Sequence, residues 1–284
     1  MIYFLLMCVI LLVLVICRSC YENRHFITKK YSFYHPAAKK PIRIMFLSDL
    51  HENSYGDHNE ALVAGIRQAQ PDVILIGGDL IIGKGERIKT EVAIDFLQKI
   101  QTIAPVVYSF GNHETRVKES DVFQAYMAEI RKTDVCVLNN QRYQIEIQGV
   151  PVSIYGLELE KEVYKDASKF KAHEKVFFEP EDENSVKILL AHTPNLLEEY
   201  EKWKPDFVFS GHNHGGIVRL FGKGVISTEY KIFPTYSYGV YTKNQSKLIL
   251  SSGAGTHTIK FRLFNPPEIV VVELKNSMVE NERG

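Results

Sequence analysis

The sequence predicts an α/β protein built from two packed sheets with helices on their outer faces. Between residue 42 and about residue 131, short apolar runs typical of buried strands alternate with segments whose apolar residues recur at helical spacing. Strand-rich stretches follow. The chain of 284 residues is 45% hydrophobic and 24% charged, as in an ordinary globular protein. This length supports one sizeable domain with a well-filled core.

An apolar segment opens the chain. Residues Met1 to Cys17 carry no charged side chain, and a helix of that length spans roughly 25 Å, near the short end of the transmembrane range. A cleaved signal peptide is the competing interpretation, but no basic residue precedes the apolar run and no small-x-small cleavage site follows it. Cys17 and Cys20 also lack the small preceding residues expected of an acylated cysteine. We therefore predict an uncleaved single-pass anchor over residues 1–20.

A basic stretch without clear periodicity follows the anchor. Between residues 18 and 43, seven Lys and Arg residues face a single acid, Glu22. The positive-inside rule predicts that this flank, and the domain after it, lie on the cytoplasmic side of the cell membrane. We predict a basic tether over residues 21–41, a folded domain over residues 42–275 and a frayed tail over residues 276–284.

Within the domain, the residue pattern predicts the individual elements in order. Strands are expected at residues 42–48, 73–76, 106–110, 135–138, 143–148, 152–157, 186–191, 207–210, 247–251 and 268–274. Helices are expected at residues 59–70, 90–103, 120–131 and 195–202, with Ser120 as an N-cap. Gly149 is expected to close a hairpin. Residues 158–184 are expected to be a charged surface segment, with a helix near residues 163–173 as the alternative, and residues 217–241 form a long insertion.

Five of the predicted strands end in residue types that bind metal ions. The motifs are Asp-x-His at 49–51, Gly-Gly-Asp at 77–79, Gly-Asn-His-Glu at 111–114, His-Thr-Pro at 192–194 and Gly-His-Asn-His at 211–214. In open α/β sheets, ligands bind at the edge where the strands end. Mixed imidazole, amide and carboxylate ligands suit Mn, Fe or Zn better than Ca, and the four cysteines form no zinc pattern.

This ordered set of five motifs resembles the calcineurin-like metallophosphoesterase family, over roughly residues 42–274. The resemblance implies a four-layer α/β/β/α sandwich of two mixed sheets, with two divalent metal ions at the strand ends. The implied ligands are Asp49, His51 and His214 for the first metal, Asn112, His192 and His212 for the second, and Asp79 as the bridge between them.

The chemistry implied by the resemblance is hydrolysis of a phosphoester. Two metals about 3.5–4 Å apart can share a hydroxide and clamp the phosphoryl oxygens of an in-line displacement. The resemblance places His113 near the leaving group as a general acid or charge stabiliser, with a hydrogen-bond partner of the ligands as the alternative. Glu114 could simply orient its neighbours. We expect added Mn to support activity in vitro.

Finer features resemble a bacterial, membrane-associated branch of the family. They are Gly215-Gly216, the insertion, Ser252-Gly253-Ala254-Gly255 and residues 261–268. That branch is linked to hydrolysis of UDP-2,3-diacylglucosamine, a lipid A precursor, or to cell-envelope substrates, although this chain lacks the twin-arginine signal of exported members. The expected substrate is a phosphodiester or pyrophosphate. A more specific hypothesis is that this substrate is linked to a lipid. Residues 252–255 lack a P-loop ending, so we expect a tight loop near the metals. For His257, beside this loop, we expect a surface or structural role, with a substrate contact as the alternative.

Other functions stay open. A phosphomonoesterase would use the same residues. A catalytically silent metal-binding scaffold would be expected to have lost ligands, and none is lost here. A dinuclear amidohydrolase would need a carbamylated lysine or extra carboxylates, for which there is no pattern. The formal net charge of zero gives no basic field for nucleic acid. The insertion aromatics Tyr230, Phe233, Tyr236, Tyr238 and Tyr241 could shape a pocket, enter lipid or pack beneath the loop.

Overall fold

The computed structural model describes residues 1–83, 88–171, 184–226, 232–256 and 260–276. Its strands are β1 (Ile27–Tyr34), β2 (Ile42–Leu47), β3 (Val73–Ile76), β4 (Val106–Ser109), β5 (Cys136–Leu138), β6 (Gln141–Ile147), β7 (Val150–Leu157), β8 (Val186–Ala191), β9 (Phe207–Ser210), β10 (Val218–Leu220), β11 (Lys223–Ile226), β12 (Gly239–Lys243), β13 (Ser246–Leu250) and β14 (Glu268–Lys275). Its helices are α1 (Ile2–Arg24), α2 (Glu60–Ala69), α3 (Glu91–Ile100), α4 (Asn112–Val117), α5 (Asp121–Ile130), α6 (Lys161–Lys165) and α7 (Leu197–Glu201).

The strands form two large mixed sheets. The first has the order β1-β14-β2-β3-β4-β5, in which β2 to β5 are parallel and β14 is antiparallel to β2. The second has the order β12-β13-β9-β8-β7-β6, with parallel central strands and antiparallel edges. A short hairpin, β10-β11, stands apart. Because the central strands are parallel, their carboxyl ends share one edge.

The sheets pack face to face, and helices cover their outer faces. Central strands such as β3 read as continuous apolar runs because both of their faces are buried. Between the sheets, the ring centroids of Phe46 and Phe209 lie 5.2 Å apart. The helices α2, α3 and α5 cover the first sheet, and α6 and α7 cover the second. The four-layer α/β/β/α sandwich is therefore confirmed.

Local sequence signals account for several of these elements. The hydroxyl of Ser120 accepts a hydrogen bond from Phe123 N–H (3.2 Å), so Ser120 caps α5 as predicted. Gly149 closes the β6–β7 hairpin at φ +79°. Residues 158–171 hold α6 and a 3₁₀ turn, Ala167–Lys169, and the rest of the predicted charged segment to residue 183 lies outside the described residues.

The segment that we assigned to a tether takes part in the fold. Strand β1 pairs with β14 in parallel over eight residues, from Ile27 opposite Glu268 to Tyr34 opposite Lys275. Alternate residues of β1 are half-buried, and the Phe33 ring lies 5.6 Å from that of Phe207. The folded domain therefore begins before residue 42, and the tether prediction is wrong for residues 27–34.

The N-terminal helix α1 is long and apolar enough to cross a membrane, by length and composition. Most of its length is exposed, but its last turns contact the domain. Ser19 and Glu22 are buried there. Ser19 Oγ accepts a hydrogen bond from Arg262 N–H (3.1 Å), and a Glu22 carboxylate oxygen accepts one from Asn265 N–H (3.0 Å). The helix α1 and the domain are thus joined without a free linker.

Candidate metal centre

The predicted ligands meet where the two sheets end. All of them follow a parallel strand within five residues: Asp49 and His51 after β2, Asp79 after β3, Asn112 after β4, His192 after β8, and His212 and His214 after β9. The predicted catalytic residue, His113, follows Asn112 directly. Since the carboxyl ends of these strands share one edge, residues that are as far apart in sequence as 49 and 214 become neighbours.

Asp79 lies at the middle of this group. Its Oδ2 is 3.2 Å from His192 Nε2, 3.8 Å from His51 Nε2 and 3.9 Å from His113 Nε2. Its Oδ1 accepts the backbone N–H of His113 (2.8 Å). The Asp79 carboxylate therefore faces ring nitrogens contributed by three different strand ends.

Two sets of side chains flank Asp79. On one side, Asp49 Oδ1 is 3.4 Å from His214 Nε2 and 3.8 Å from His51 Nε2, and the two Nε2 atoms are 3.2 Å apart. On the other side, the Asn112 amide oxygen lies 2.8 Å from His212 Nδ1. His192 is near both carboxylates, since its Nε2 is also 3.8 Å from Asp49 Oδ1.

The orientation of the histidine rings tests whether cations fit here. His192 Nδ1 donates to Gly77 O (2.6 Å), and His214 Nδ1 donates to Gly255 O (3.2 Å). With the Nδ1 proton fixed by a carbonyl, the Nε2 lone pair of each neutral ring points at a buried carboxylate, which is repulsive unless a cation or proton lies between them. Nitrogen and oxygen donors arranged in this way fit divalent transition metals.

The pKa values of these side chains also indicate that the site favours positive charge. Burial lowers the pKa of His192, but the Asp79 and Asp49 carboxylates outweigh burial and raise it to about 10. Burial opposes ionisation of Asp79, yet His192 and His113 hold the pKa of Asp79 well below its usual range. A proton on His192 thus supplies part of the charge that bound metal ions would supply, whereas burial holds the pKa of His51 well below its usual range.

The backbone at this edge is strained. Five of the predicted ligands have left-handed φ angles between 49° and 70°: Asp49, His51, Asp79, His212 and His214. Such conformations cost of order 1–3 kcal/mol each for residues other than glycine, and they concentrate at functional sites. Glycine is required beside the carboxylates, because a Cβ at Gly111 would collide with Asp79 and one at Gly211 would collide with Asp49.

His113 is oriented differently from the other histidines. Its Nδ1 accepts the backbone N–H of Gly83 (2.9 Å), so the neutral ring carries its proton on Nε2, which faces the metal ligands. Nε2 then offers a hydrogen-bond donor and has no lone pair to bind a metal. Of the roles left open by the sequence, this geometry favours the charge stabiliser over an imidazolium acid.

Glu114 holds the surrounding loops together. Its buried carboxylate accepts hydrogen bonds from Asp79 N–H (2.8 Å), Leu80 N–H (2.8 Å), Gly111 N–H (2.9 Å) and the Tyr108 hydroxyl (2.9 Å). Burial, and then the nearby Asp79 carboxylate, raises the pKa of Glu114 to about 7. The carboxylate therefore fixes the β3 and β4 loops to each other.

We expect Glu114→Gln to loosen the metal site and to destabilise the fold. The amide keeps the size of the side chain but puts an NH₂ group where backbone N–H donors now find an acceptor, which costs about 1–3 kcal/mol of folding free energy. Chemical denaturation would measure that loss, and metal titration should show weaker binding. Glu129→Gln, on the exposed end of α5, is the matched control. Equal stability and metal affinity in the two variants would contradict a positioning role.

Two further contacts were not predicted from the sequence. The Tyr164 ring on α6 lies 5.4 Å from that of His212 and 6.0 Å from that of His192, and its buried hydroxyl has no hydrogen-bond partner among the described residues. Asn265 Nδ2 donates to His214 O (2.7 Å). These residues stand outside the five motifs, so only their three-dimensional contacts connect them with the site.

The loop at residues 252–255 lies beside the metal ligands, as expected, and is held by Arg262. The buried guanidinium donates to Ser252 O and Gly255 O (2.8 Å each). Gly255 O is the same carbonyl that accepts His214 Nδ1–H. Burial lowers the pKa of Arg262 to about 10. His257, for which a substrate contact was the alternative to a surface role, lies outside the described residues.

Known proteins share this sequence pattern. Residues 42–216 match the family described as calcineurin-like phosphoesterase, which is more than half of the chain. YpbG of Bacillus subtilis strain 168 is 28% identical over 259 residues, 89% of this chain and 88% of its own. Metallophosphoesterase YkoQ of the same strain is 26% identical over 240 residues, 82% of this chain and 83% of its own. Phosphodiesterase YaeI of Escherichia coli K12 is 26% identical over 240 residues, 82% of each chain.

The motif residues that meet at the strand ends all lie within the matched residues 42–216. Their carboxylate and imidazole groups are arranged so that they could hold metal ions. The chain belongs to the calcineurin-like phosphoesterase family and is a metallophosphoesterase.

Proposed function

We propose that this enzyme hydrolyses a phosphodiester with two divalent metal ions bound on either side of Asp79. Asp49, His51 and His214 would hold one ion, Asn112, His192 and His212 the other, and Asp79 both. The observation that carries the proposal is the central position of the Asp79 carboxylate, which faces ring nitrogens from both sets. Mn, Fe and Zn all suit these ligands.

Bound there, the metals would supply the charge that activates water near neutral pH and neutralises phosphoryl oxygens. The chain's own residues would orient and stabilise the substrate. His113 Nε2–H faces the site as a donor and would bind the oxygen on which negative charge develops. The burial of the cluster around Asp79 strengthens that interaction, because water does not compete for the donor.

We prefer a phosphodiester as the substrate because of the name given to one similar protein. YaeI carries the name phosphodiesterase and aligns over 82% of this chain. A monoesterase using the same residues is the second candidate. A silent scaffold has less support, since every predicted ligand residue type is present at the strand ends.

The proposed location is the cell membrane, with α1 as an uncleaved single-pass anchor. Ser19 and Glu22, on one side of the last turns of α1, are buried against the domain, which supports an anchor that stays attached to the folded enzyme. The basic residues after α1 favour a cytoplasmic domain. An enzyme held at the bilayer suits an amphiphilic phosphoester, such as a UDP-diacylglucosamine-like pyrophosphate or another lipid-linked envelope precursor.

Metal removal and replacement tests the proposed reaction. The full chain in detergent is treated with a chelator, and hydrolysis of an aryl phosphodiester, an aryl phosphomonoester and an aryl amide is followed before and after Mn, Fe or Zn is added. We expect diester cleavage to disappear with the metal and to return when about two metal ions per chain are bound. Preferred monoester cleavage would favour the second candidate, and a folded chain that binds no metal would contradict the proposal.

We expect Tyr164→Phe to weaken catalysis without loss of metal. Its buried hydroxyl has no partner among the described residues and lies beside the rings of His192 and His212, so it would donate to a phosphoryl oxygen of the substrate. Loss of one such hydrogen bond lowers kcat/KM by roughly 5–10-fold, given about 1–1.5 kcal/mol. Tyr200→Phe, whose hydroxyl donates to Thr193 O (3.1 Å), is the control. An unchanged kcat/KM in Tyr164→Phe would exclude the contact.

A further inference from the structure

We infer that a small apolar surface beside α1 inserts into the bilayer that α1 crosses, and holds the metal centre at the level of the lipid headgroups. The surface, here called the apolar rim, consists of Leu220, Phe221, Ile232, Phe233 and Phe264. The inference rests on the proposed anchor, and it deepens the proposed function by naming the surface that meets the lipid.

At the junction between α1 and the domain, no linker separates the domain from the membrane that α1 would cross. Arg18 is the first charged side chain of the sequence, and Ser19, the next residue, is already buried against the domain. The domain therefore begins directly where the uncharged, apolar part of α1 ends, and a helix α1 that crosses the bilayer holds the domain against the lipid surface. The face around residues 262–265, which contacts Ser19 and Glu22, must therefore lie at the interface.

That face is apolar where it is exposed. Phe264 is 53% exposed, and the Arg18 guanidinium lies 5.7 Å from its ring centroid. Phe221, at the tip of the β10–β11 hairpin, is fully exposed, and Phe233 is 72% exposed. Single exposed apolar residues are ordinary, but several large ones on adjoining segments mark an interaction surface.

Backbone hydrogen bonds join the segments of the rim. Arg219 N–H on β10 donates to Leu263 O (3.0 Å), which fixes the hairpin beside the segment that carries Phe264. On the other side of the hairpin, Phe233 N–H donates to Val225 O (2.9 Å) on β11. The rim is therefore one layer that adjoins the end of α1.

Most of the insertion aromatics do not belong to this surface. The Tyr238 hydroxyl donates to Glu268 (2.9 Å), and the Arg219 guanidinium lies 3.5 Å from its ring centroid. The Tyr241 hydroxyl accepts the N–H of Ser237 (3.0 Å). These tyrosines pack beneath the loop, Tyr230 lies outside the described residues, and Phe233 is the one that the rim exposes.

Charge around the rim fits a bilayer with anionic lipids. Exposed basic residues lie in the segments that form or adjoin it in the sequence: Arg18 and Arg24 at the end of α1, Lys223 in the β10–β11 hairpin and Lys260 four residues before Phe264. Basic side chains next to a transmembrane segment are attracted to the negative surface of the cytoplasmic leaflet. An apolar tip with a basic border is the pattern of a surface that lies in the interface and inserts about 5–10 Å.

The rim is also connected with the metal site. Asn265, the residue after Phe264, donates through Nδ2 to His214 O (2.7 Å), and the loop of His214 continues into β10 within four residues. The depth of the rim therefore sets the distance between the metal ligands and the lipid. The substrate class that this arrangement serves is a phosphoester carried at the headgroup of a membrane lipid.

Fluorescence quenching by brominated lipids tests the inference on the full chain. The protein is reconstituted in phosphatidylcholine vesicles containing a minority of phosphatidylglycerol, with bromine near the headgroup end of the acyl chains. The variants are Phe221→Trp and Phe264→Trp. Val122→Trp, an exposed apolar position on α5, is the control, and the emission of native Trp203 is subtracted. We expect the emission of both rim tryptophans to fall by more than half, as insertion by about 5–10 Å implies, and that of the control to stay unchanged.

Each other result has a defined meaning. Absent quenching at both rim positions, or equal quenching in Val122→Trp, would overturn the inference. Leu11→Trp reports whether α1 itself is in the bilayer, and failure there would overturn the anchor and the inference together. If the rim tryptophans are quenched but the enzyme cleaves no phosphoester, the lipid contact of the rim is supported and the proposed function is rejected. A concentration-dependent dimer that Phe221→Glu abolishes would assign the rim to a second copy of the chain and overturn lipid contact.

Discussion

Asp79→Asn should abolish phosphodiester hydrolysis and reduce metal binding. The substitution keeps the size of the side chain and an oxygen to accept His113 N–H, but removes the negative charge that faces His51 and His192. If Asp79 binds both ions, neither set retains its full ligands. Loss of metal-ion catalysis is expected to cost several kcal/mol, so a loss of about 4 kcal/mol lowers kcat by roughly 10³-fold.

The measurement is bound metal per chain together with the rate of diester cleavage at saturating Mn. Asp95→Asn is the matched control, because Asp95 is a carboxylate on α3 that pairs with Lys99 (2.8 Å) away from the site. Circular dichroism should show that both variants fold. A variant Asp79→Asn that retains two metals and most of its rate would show that Asp79 does not bridge, and would require another ligand arrangement.

The meeting of the candidate metal ligands at one edge of the sheets could be predicted because the relevant signal is local. A ligand residue type directly after an apolar run is visible in the sequence, and parallel strands bring such ends together whatever the intervening chain does. Asp79 and His214 are examples. The same reasoning predicted the sheets, since β3 and β9 are short apolar runs that are buried on both faces.

Positioning residues lack such a signal. Asn265 lies in the segment 261–268, which carries no metal-ligand motif, and Tyr164 lies in the segment expected to be a charged surface, so only tertiary contacts connect them with the site. Strand β1 was missed for a related reason. Its partner β14 lies some 240 residues away, and its inward face includes Lys29, which masks the alternation of Tyr31 and Phe33. Pairing across such a separation is not encoded in local periodicity.

Strand β1 also predicts that two shortened chains will behave differently. Removing residues 1–17 takes away the apolar part of α1 but keeps the buried Ser19 and Glu22 and all of β1. Removing residues 1–41 deletes β1, exposes the edge of β14 along eight paired residues and uncovers Phe207, against which Phe33 packs. We expect the first chain to be soluble and folded, and the second to be unstable and prone to edge-to-edge association.

The size of the difference follows from what β1 contributes. Half-burial of Tyr31 and Phe33 contributes about 1 kcal/mol each, and the lost ladder hydrogen bonds add to this, so the loss is roughly 3–5 kcal/mol. In a domain of this size that lowers Tm by about 6–20 °C. Thermal unfolding measures the Tm of the two shortened chains, and light scattering measures their association. Phe33→Ala in the longer of the two chains is expected to lower Tm by part of the same amount. Equal Tm values would mean that residues 18–41 do behave as a tether, and that β1 adds nothing to the stability of the sheet.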